Sequence, residues 1–146
     1  MASFPTALFL REAEVRRGLE LMFMAQAELT CAIEPILARA GIGRAHQRIL
    51  YYVGRRPDLT VGTLLGQLGI TKQSLNRVLS DLIARDLVEV RVGRDDRRQR
   101  LLRLTQAGRD LEAELFEPMR AQMANAYAKA GQQSVGGFWS VLEGLS

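Results

Sequence analysis

Apolar residues recur at irregular three- and four-residue spacings from Thr6 to about Ala40, where Leu8, Val15, Leu19, Met22, Leu29, Ile33, Ile36 and Leu37 stand among arginines and glutamates. That period predicts a long helix. Pro35 removes one amide and disfavours helical geometry at Glu34, which predicts a kink or a break there. Gly41 to Gly43 turns the chain, and Arg44 to Arg55 reads as a second helix with Ile49, Leu50, Tyr52 and Val53 inward, closed by Gly54 and Pro57. Thr60 is placed to cap a short helix carrying Val61, Leu64, Leu65 and Leu68, which Gly69 stops. Thr71 then caps another, with Leu75, Val78, Leu79 and Leu82 on one face. Two short helices across a tight turn, the second strongly amphipathic, make a helix-turn-helix pattern.

From Val88 to Val92 the period changes to two, Val-Glu-Val-Arg-Val, the mark of a half-buried strand. The loop Gly93 to Arg98 leads to a second run, Arg100 to Leu104, so the pair predicts a hairpin. Thr105 caps a helix with Leu111, Leu115 and Met119 that runs to about Ala130, with a bend expected at Pro118. Gly131 breaks it before a last helix around Val135 to Leu145. The predicted class is mainly α with a small β-hairpin wing, a winged helix-turn-helix.

Composition narrows this picture. A chain of 146 residues with 47% hydrophobic and 25% charged residues suits one ordered domain. No run approaches the ~20 apolar residues that span a bilayer, and Glu12 and Glu14 stand where a secretory signal would be apolar. Cys31 is the single cysteine, so no internal disulfide framework exists. A cytoplasmic protein without a membrane partner is expected. The net charge of +4 has one source: six arginines between Arg91 and Arg103 face only Asp95 and Asp96, and the rest of the chain balances. A cationic projection of that kind suits a polyanion.

Opposite its apolar face, the helix after Thr71 presents Gln73, Asn76, Arg77 and Ser80, with Lys72 at its N-terminal edge. Gln and Asn pair with adenine edges and Arg with guanine, and a major groove admits one helix. Alone, this is also what any solvated helix face looks like. The hairpin tip changes the balance, because Arg94, Arg97 and Arg98 follow at a chain distance that lets them flank the helix and reach phosphates or a narrow minor groove. Pairing with Asp95 and Asp96 would leave that charge excess unexplained.

Leu59-Thr60-Val61 with Leu64-Leu65, then Thr71-Lys72-Gln73-Ser74, Leu87-Val88-Glu89, and Asp96-Arg97-Arg98 with Leu101 to Thr105 resemble the MarR family of regulators. Gly43-Arg44-Ala45-His46, Ile70-Thr71-Lys72-Gln73-Ser74 and Asp96 to Leu102 are further similar to its PetP-like branch. The resemblance implies a DNA-binding transcriptional regulator, a homodimer on a palindromic operator in double-stranded DNA. It implies one MarR-like domain over residues 1–146, with 1–40 and 105–146 as the helical dimerisation region and 41–104 as the DNA-binding lobe. Carried over, the stretch from Lys72 to Arg77, with Gln73, Ser74 and Asn76, would occupy the major groove, Asp96 would orient the wing and Arg98 would enter the minor groove; Thr71, Ser80, Arg94 and Arg97 complete the DNA-binding candidates. The chain departs from the family where Val90 replaces a strand arginine able to pair with the wing aspartate, so Asp96 is left to pair with Arg77 or Arg98, or with neither. Asp86 replaces a glycine, at a position Asp tolerates because it visits left-handed geometry.

The resemblance also implies a small-molecule or redox signal. Met22, Phe23, Tyr51 and Tyr52 are candidates to line an effector pocket, with core packing as the plainer reading of each. Cys31 has Glu28 and Glu34 one helical turn away, which disfavours a reactive thiolate. His46 is the single histidine and no metal-ligand spacing surrounds it. No cofactor, metal or enzymatic activity is expected, since no nucleophile–base pair is present. The competing class is a winged-helix dimer that docks an acidic protein instead of DNA.

Overall fold

The computed structural model describes Ala7 and residues 10–146. Thr6 and Leu8, at the head of the first predicted helix, lie outside them. The order is α1 (Glu12–Ala40), α2 (Arg44–Arg55), β1 (Leu59–Thr60), α3 (Val61–Leu68), α4 (Lys72–Ala84), β2 (Val88–Val92), β3 (Arg100–Leu104), α5 (Gln106–Ala130) and α6 (Gln132–Glu143). Capping set several of these boundaries. The hydroxyls of Thr60, Thr71 and Thr105 accept the amides of Thr63, Ser74 and Gly108 at the starts of α3, α4 and α5. Gly41 and Gly69 take left-handed conformations after α1 and α3, and Asp86 does so ahead of β2 at φ 58°, as its side chain allows.

Five expectations need correction. The predicted break at Pro35 does not occur: α1 is one helix through it, because Ile33 and Leu37 on either side are both buried and hold the backbone in register. Gly54 does not close α2 but lies inside it, where a Cβ would stand 3.0 Å from Leu104 Cδ1; it is there for close approach to β3. The sheet has three strands, not two, in the order β1-β3-β2 and antiparallel throughout. The alternation of β2 is only partly buried: Val88 is in the core, but Val90 and Val92 are exposed, since the hairpin runs out past the core. The last helix also begins earlier than predicted, at Gln132.

The core joins Ile49, Leu50 and Val53 of α2 to Leu64, Leu75, Leu79, Leu82, Val88, Leu102 and Leu104, and closes with Ile33 and Leu37 of α1 and Leu115 of α5. Burial on this scale contributes about 1.5–3 kcal/mol per large side chain. The first turns of α1 stay outside it, and Val15, Leu19, Met22, Phe23 and Met24 are exposed. An 18-residue window of α1 reaches a mean hydropathy of 1.3, enough by length and composition only to cross a membrane, although Glu20, Glu28 and Glu34 interrupt the apolar residues of the helix.

Two ion pairs fasten the lobe. Arg103 of β3 donates two hydrogen bonds, each 2.6 Å, to the carboxylate of Asp58, which sits at φ 66° ahead of β1. Asp81 of α4 accepts from His46 at 2.7 Å and Arg85 at 3.0 Å. The Arg103 hydrogen bonds hold Asp58 below the usual carboxylate range, and those from His46 and Arg85 do the same for Asp81. A lowered folded value means stability present above the unfolded pKa of about 3.9 and lost as pH falls through the folded one. Thermal melts of Asp58→Asn are therefore expected to lie below wild type at pH 7 and to converge with it toward pH 2; a gap independent of pH would contradict this.

Candidate nucleic-acid interface

Residues four apart share a helix face, and on α4 that rule sets Lys72, Asn76 and Ser80 in one row. This row forms one wall of a cleft of about 690 Å³. The start of α3 (Thr60, Val61, Gly62) closes one end, and the wing supplies the other wall with Val90, Arg98, Gln99 and Arg100. Four of the sequence-predicted residues are thus brought together: Lys72, Asn76, Ser80 and Arg98. Gln73 and Arg77 are exposed on the neighbouring face of α4 and do not line the cleft. Thr71 and Ser74 are engaged with each other, since the Thr71 hydroxyl accepts the Ser74 amide at 3.1 Å and donates to Ser74 Oγ at 2.9 Å. They build the helix start.

Arg94, Arg97 and Arg98 are exposed at the wing tip, as is Arg100 at the start of β3. Among the described residues none of these four has a carboxylate partner, so the solvated, self-paired loop is not what forms. Asp96 instead accepts the backbone amide of Arg98 at 2.9 Å, and the Asp96 carbonyl accepts the Gln99 amide at 3.1 Å. Its carboxylate shapes the turn from within and pairs with neither Arg77 nor a guanidinium of the wing. Arg91 and Arg103 belong elsewhere: Arg91 pairs with Glu89 at 3.2 Å and Arg103 with Asp58. The free cationic set is smaller than the sequence count and more concentrated. Gln99 and Arg100 were missed as site residues; strand alternation, which puts Arg100 on the same side as Leu102, was the available signal.

A second cavity, about 970 Å³, lies where α2, α3 and α5 meet, with Leu29 of α1 and Leu142 of α6 at its margins. Tyr51 and Tyr52 line it, and the Tyr51 ring lies 5.8 Å from Tyr52 and 6.2 Å from Phe116. Met22 and Phe23 do not line it; both are exposed on α1, at 40% and 66%. Met119, Met123 and Tyr127 supply one wall at the four-residue repeat of α5, a periodicity visible in the sequence. Two arginines, Arg48 and Arg120, line the cavity and no carboxylate does. Arg120 is paired with Glu117, whereas Arg48 has no carboxylate partner among the described residues. Gln67 Oε1 is buried there without a hydrogen-bond partner. Cys31 is exposed on α1. No cluster of three metal-ligating side chains occurs among the described residues.

A family model described as MarR family matches residues 40–99, the span from the end of α1 to the wing tip. Over 140 residues the chain is 50% identical to the HTH-type transcriptional regulator PetP of Rhodobacter capsulatus, covering 96% of this chain and 84% of that one. The chain belongs to the MarR family. It is a transcriptional regulator of winged-helix fold, not an enzyme. Among solved structures, a MarR-family regulator from Silicibacter pomeroyi superposes with a TM-score of 0.72 at 25% identity, covering 86% of this chain and 84% of that one. NadR in complex with 4-hydroxyphenylacetate superposes at 0.76 over 97% of both chains with 23% identity, a likeness of fold.

Proposed function

We propose that this MarR-family chain acts in the cytoplasm as a homodimer that binds a palindromic operator, with residues 1–40 and 105–146 as the dimerisation region and 41–104 as the DNA-binding lobe. The carrying observation is the cleft in which Lys72, Asn76 and Ser80 face Arg98 and Arg100, neither arginine being neutralised by a carboxylate among the described residues. Asn76, Gln73 and Arg77 have the chemistry to read bases, and Ser80 and Lys72 to hold the backbone. The wing arginines, with Asp96 setting their turn, are suited to phosphates and the minor groove. Selection of bound duplexes from a random pool tests the reading. It should enrich an inverted repeat with half-sites about 10 bp apart; no enriched sequence would overturn it.

Dimerisation is supported by apolar side chains that the described chain leaves uncovered: Val15, Leu19 and Phe23 of α1, and Phe138, Trp139 and Val141 of α6. Exposure of this extent marks a protein surface awaiting a partner. A second copy fits because the same apolar length of α1 suits neither bulk water nor an isolated lobe. Phe23→Glu should raise the dimer dissociation constant at least about 30-fold, as losing a buried aromatic anchor does, and sedimentation equilibrium would show a monomer at concentrations where wild type is dimeric.

An effector is supported by the 970 Å³ cavity, its aromatic walls, the unpaired Arg48 and the orphaned Gln67 oxygen. A small aromatic acid matches this lining, its anion toward Arg48 and a hydroxyl or amine donating to Gln67 Oε1. With 4-hydroxyphenylacetate as probe, the melting temperature should rise with concentration as ligand linkage requires. Arg48→Ala should need roughly tenfold more ligand for the same rise; equal curves would exclude Arg48 as the anion's partner.

A further inference from the structure

A continuous series of hydrogen bonds ties the recognition helix to the end of the dimerisation arm. The Gly43 amide donates to His46 Nδ1 at 3.1 Å, so Nε2 carries the ring hydrogen and donates to Asp81 Oδ2 at 2.7 Å. The same oxygen accepts from Arg85 Nε at 3.0 Å, and Arg85 Nη1 donates to the carbonyl of Ala40, the last residue of α1, at 3.3 Å. The imidazole is largely covered, with 17% of its side chain exposed. α2 packs against both α1 and α4, and these side chains bridge round its N-terminal end.

The placement matters more than the strength of any one bond. Ala40 ends the helix whose other end carries the exposed apolar side chains, and Asp81 and Arg85 stand in and just after the last turn of α4, the helix whose row Lys72, Asn76 and Ser80 walls the cleft along its length. Neither Asp81 nor Arg85 lines that cleft. Between Ala40 and α2 lie only Gly41, Ile42 and Gly43, with the Ile42 amide donating to the Leu37 carbonyl at 3.1 Å, so the Arg85 contact falls at the joint between the two helices. A guanidinium suits the duty, because its planar fork engages a carboxylate and a carbonyl at once and its charge favours a helix C-terminus.

We propose that Arg85, through Asp81 and the Ala40 carbonyl and with His46 as its third support, is a positioning residue for operator binding: it sets the angle between α4 and α1, and so the separation of the two recognition helices. This rests on the dimeric DNA-binding reading. The angle is a property of the dimer on DNA, so loss of the bridge alters which half-site spacing is preferred while leaving base recognition within each half-site intact.

The test uses the full chain and a duplex selected by wild-type protein from a random pool, remade with one or two base pairs added to or removed from the centre. Wild type should prefer the selected spacing; Arg85→Ala and Asp81→Asn should lose at least fivefold of that preference, within the range of ordinary coupling between sites. Arg85→Lys, which keeps charge but not the fork, should also fall short, while all three retain the half-site sequence preference and a cooperative melt. A wild-type spacing profile in Arg85→Lys and Asp81→Asn would overturn the proposal alone. Wild-type protein that selects no duplex would overturn the dimeric reading and the proposal with it.

Discussion

Gly108→Ala should destabilise the chain by about 3 kcal/mol, the upper end for a forced overlap in a packed interior, and lower its melting temperature by about 10 °C. A Cβ at this position would stand 2.0 Å from the Leu87 carbonyl oxygen and 3.0 Å from its carbon, so no rotamer change relieves the overlap. The main chain would have to part. That junction is also where three elements are locked: the Leu87 carbonyl accepts the Thr105 amide at 3.1 Å, the Thr105 hydroxyl donates to the Asp86 carbonyl at 2.7 Å, and the same hydroxyl accepts the Gly108 amide at 3.0 Å. The α4–β2 turn, the base of the wing and the start of α5 all move together if it opens. DNA affinity should fall with stability. Gly66→Ala is the control, since its Cβ meets nothing within 4 Å and the substitution should be neutral or stabilising by up to about 1 kcal/mol. Urea unfolding followed by circular dichroism decides; a Gly108→Ala midpoint equal to wild type would contradict the packing described.

The second large effect lies in the cleft. Arg98→Ala with Arg100→Ala should weaken binding to the selected duplex by about 100-fold near 0.1 M salt and reduce the slope of log affinity against log salt by about 2, one for each phosphate no longer neutralised. The weakening should be similar on selected and random DNA. Asn76→Ala should behave differently, costing about 1–3 kcal/mol on the selected duplex and little on random DNA, because a base-edge pair carries sequence information and a phosphate interaction does not. Fluorescence anisotropy at several salt concentrations separates the two outcomes. Equal salt slopes for wild type and the double variant would remove these arginines from the interface.

Most of the lobe was readable from the chain because its determinants are local. Threonine caps, the left-handed glycines and the switch from a 3.6- to a 2-residue period near Val88 act over a few residues, and α3, α4, β2 and β3 formed where they were expected. What escaped depends on distant partners. Strand β1 has only Leu59 and Thr60 and exists by pairing with Leu102 and Leu101 across the lobe. The continuity of α1 through Pro35 is secured by the core packing of its neighbours, which no proline rule includes. Six arginines counted along the chain looked equivalent, yet Glu89 and Asp58 neutralise two of them through pairings made in the fold. The cavity was half seen: Tyr51 and Tyr52 point to it, while Met22 and Phe23 share their chemistry but stand on the part of α1 that leaves the core.

Hydroxyl-radical footprinting of wild-type protein on its selected duplex tests the central claim most directly. Two copies of the cleft on one side of a dimer should protect two symmetric half-sites about 10 bp apart, each with a flanking minor-groove segment beneath a wing, and Arg98→Ala should erase the flanks before the centre. One protected half-site, or protection without symmetry, would contradict it.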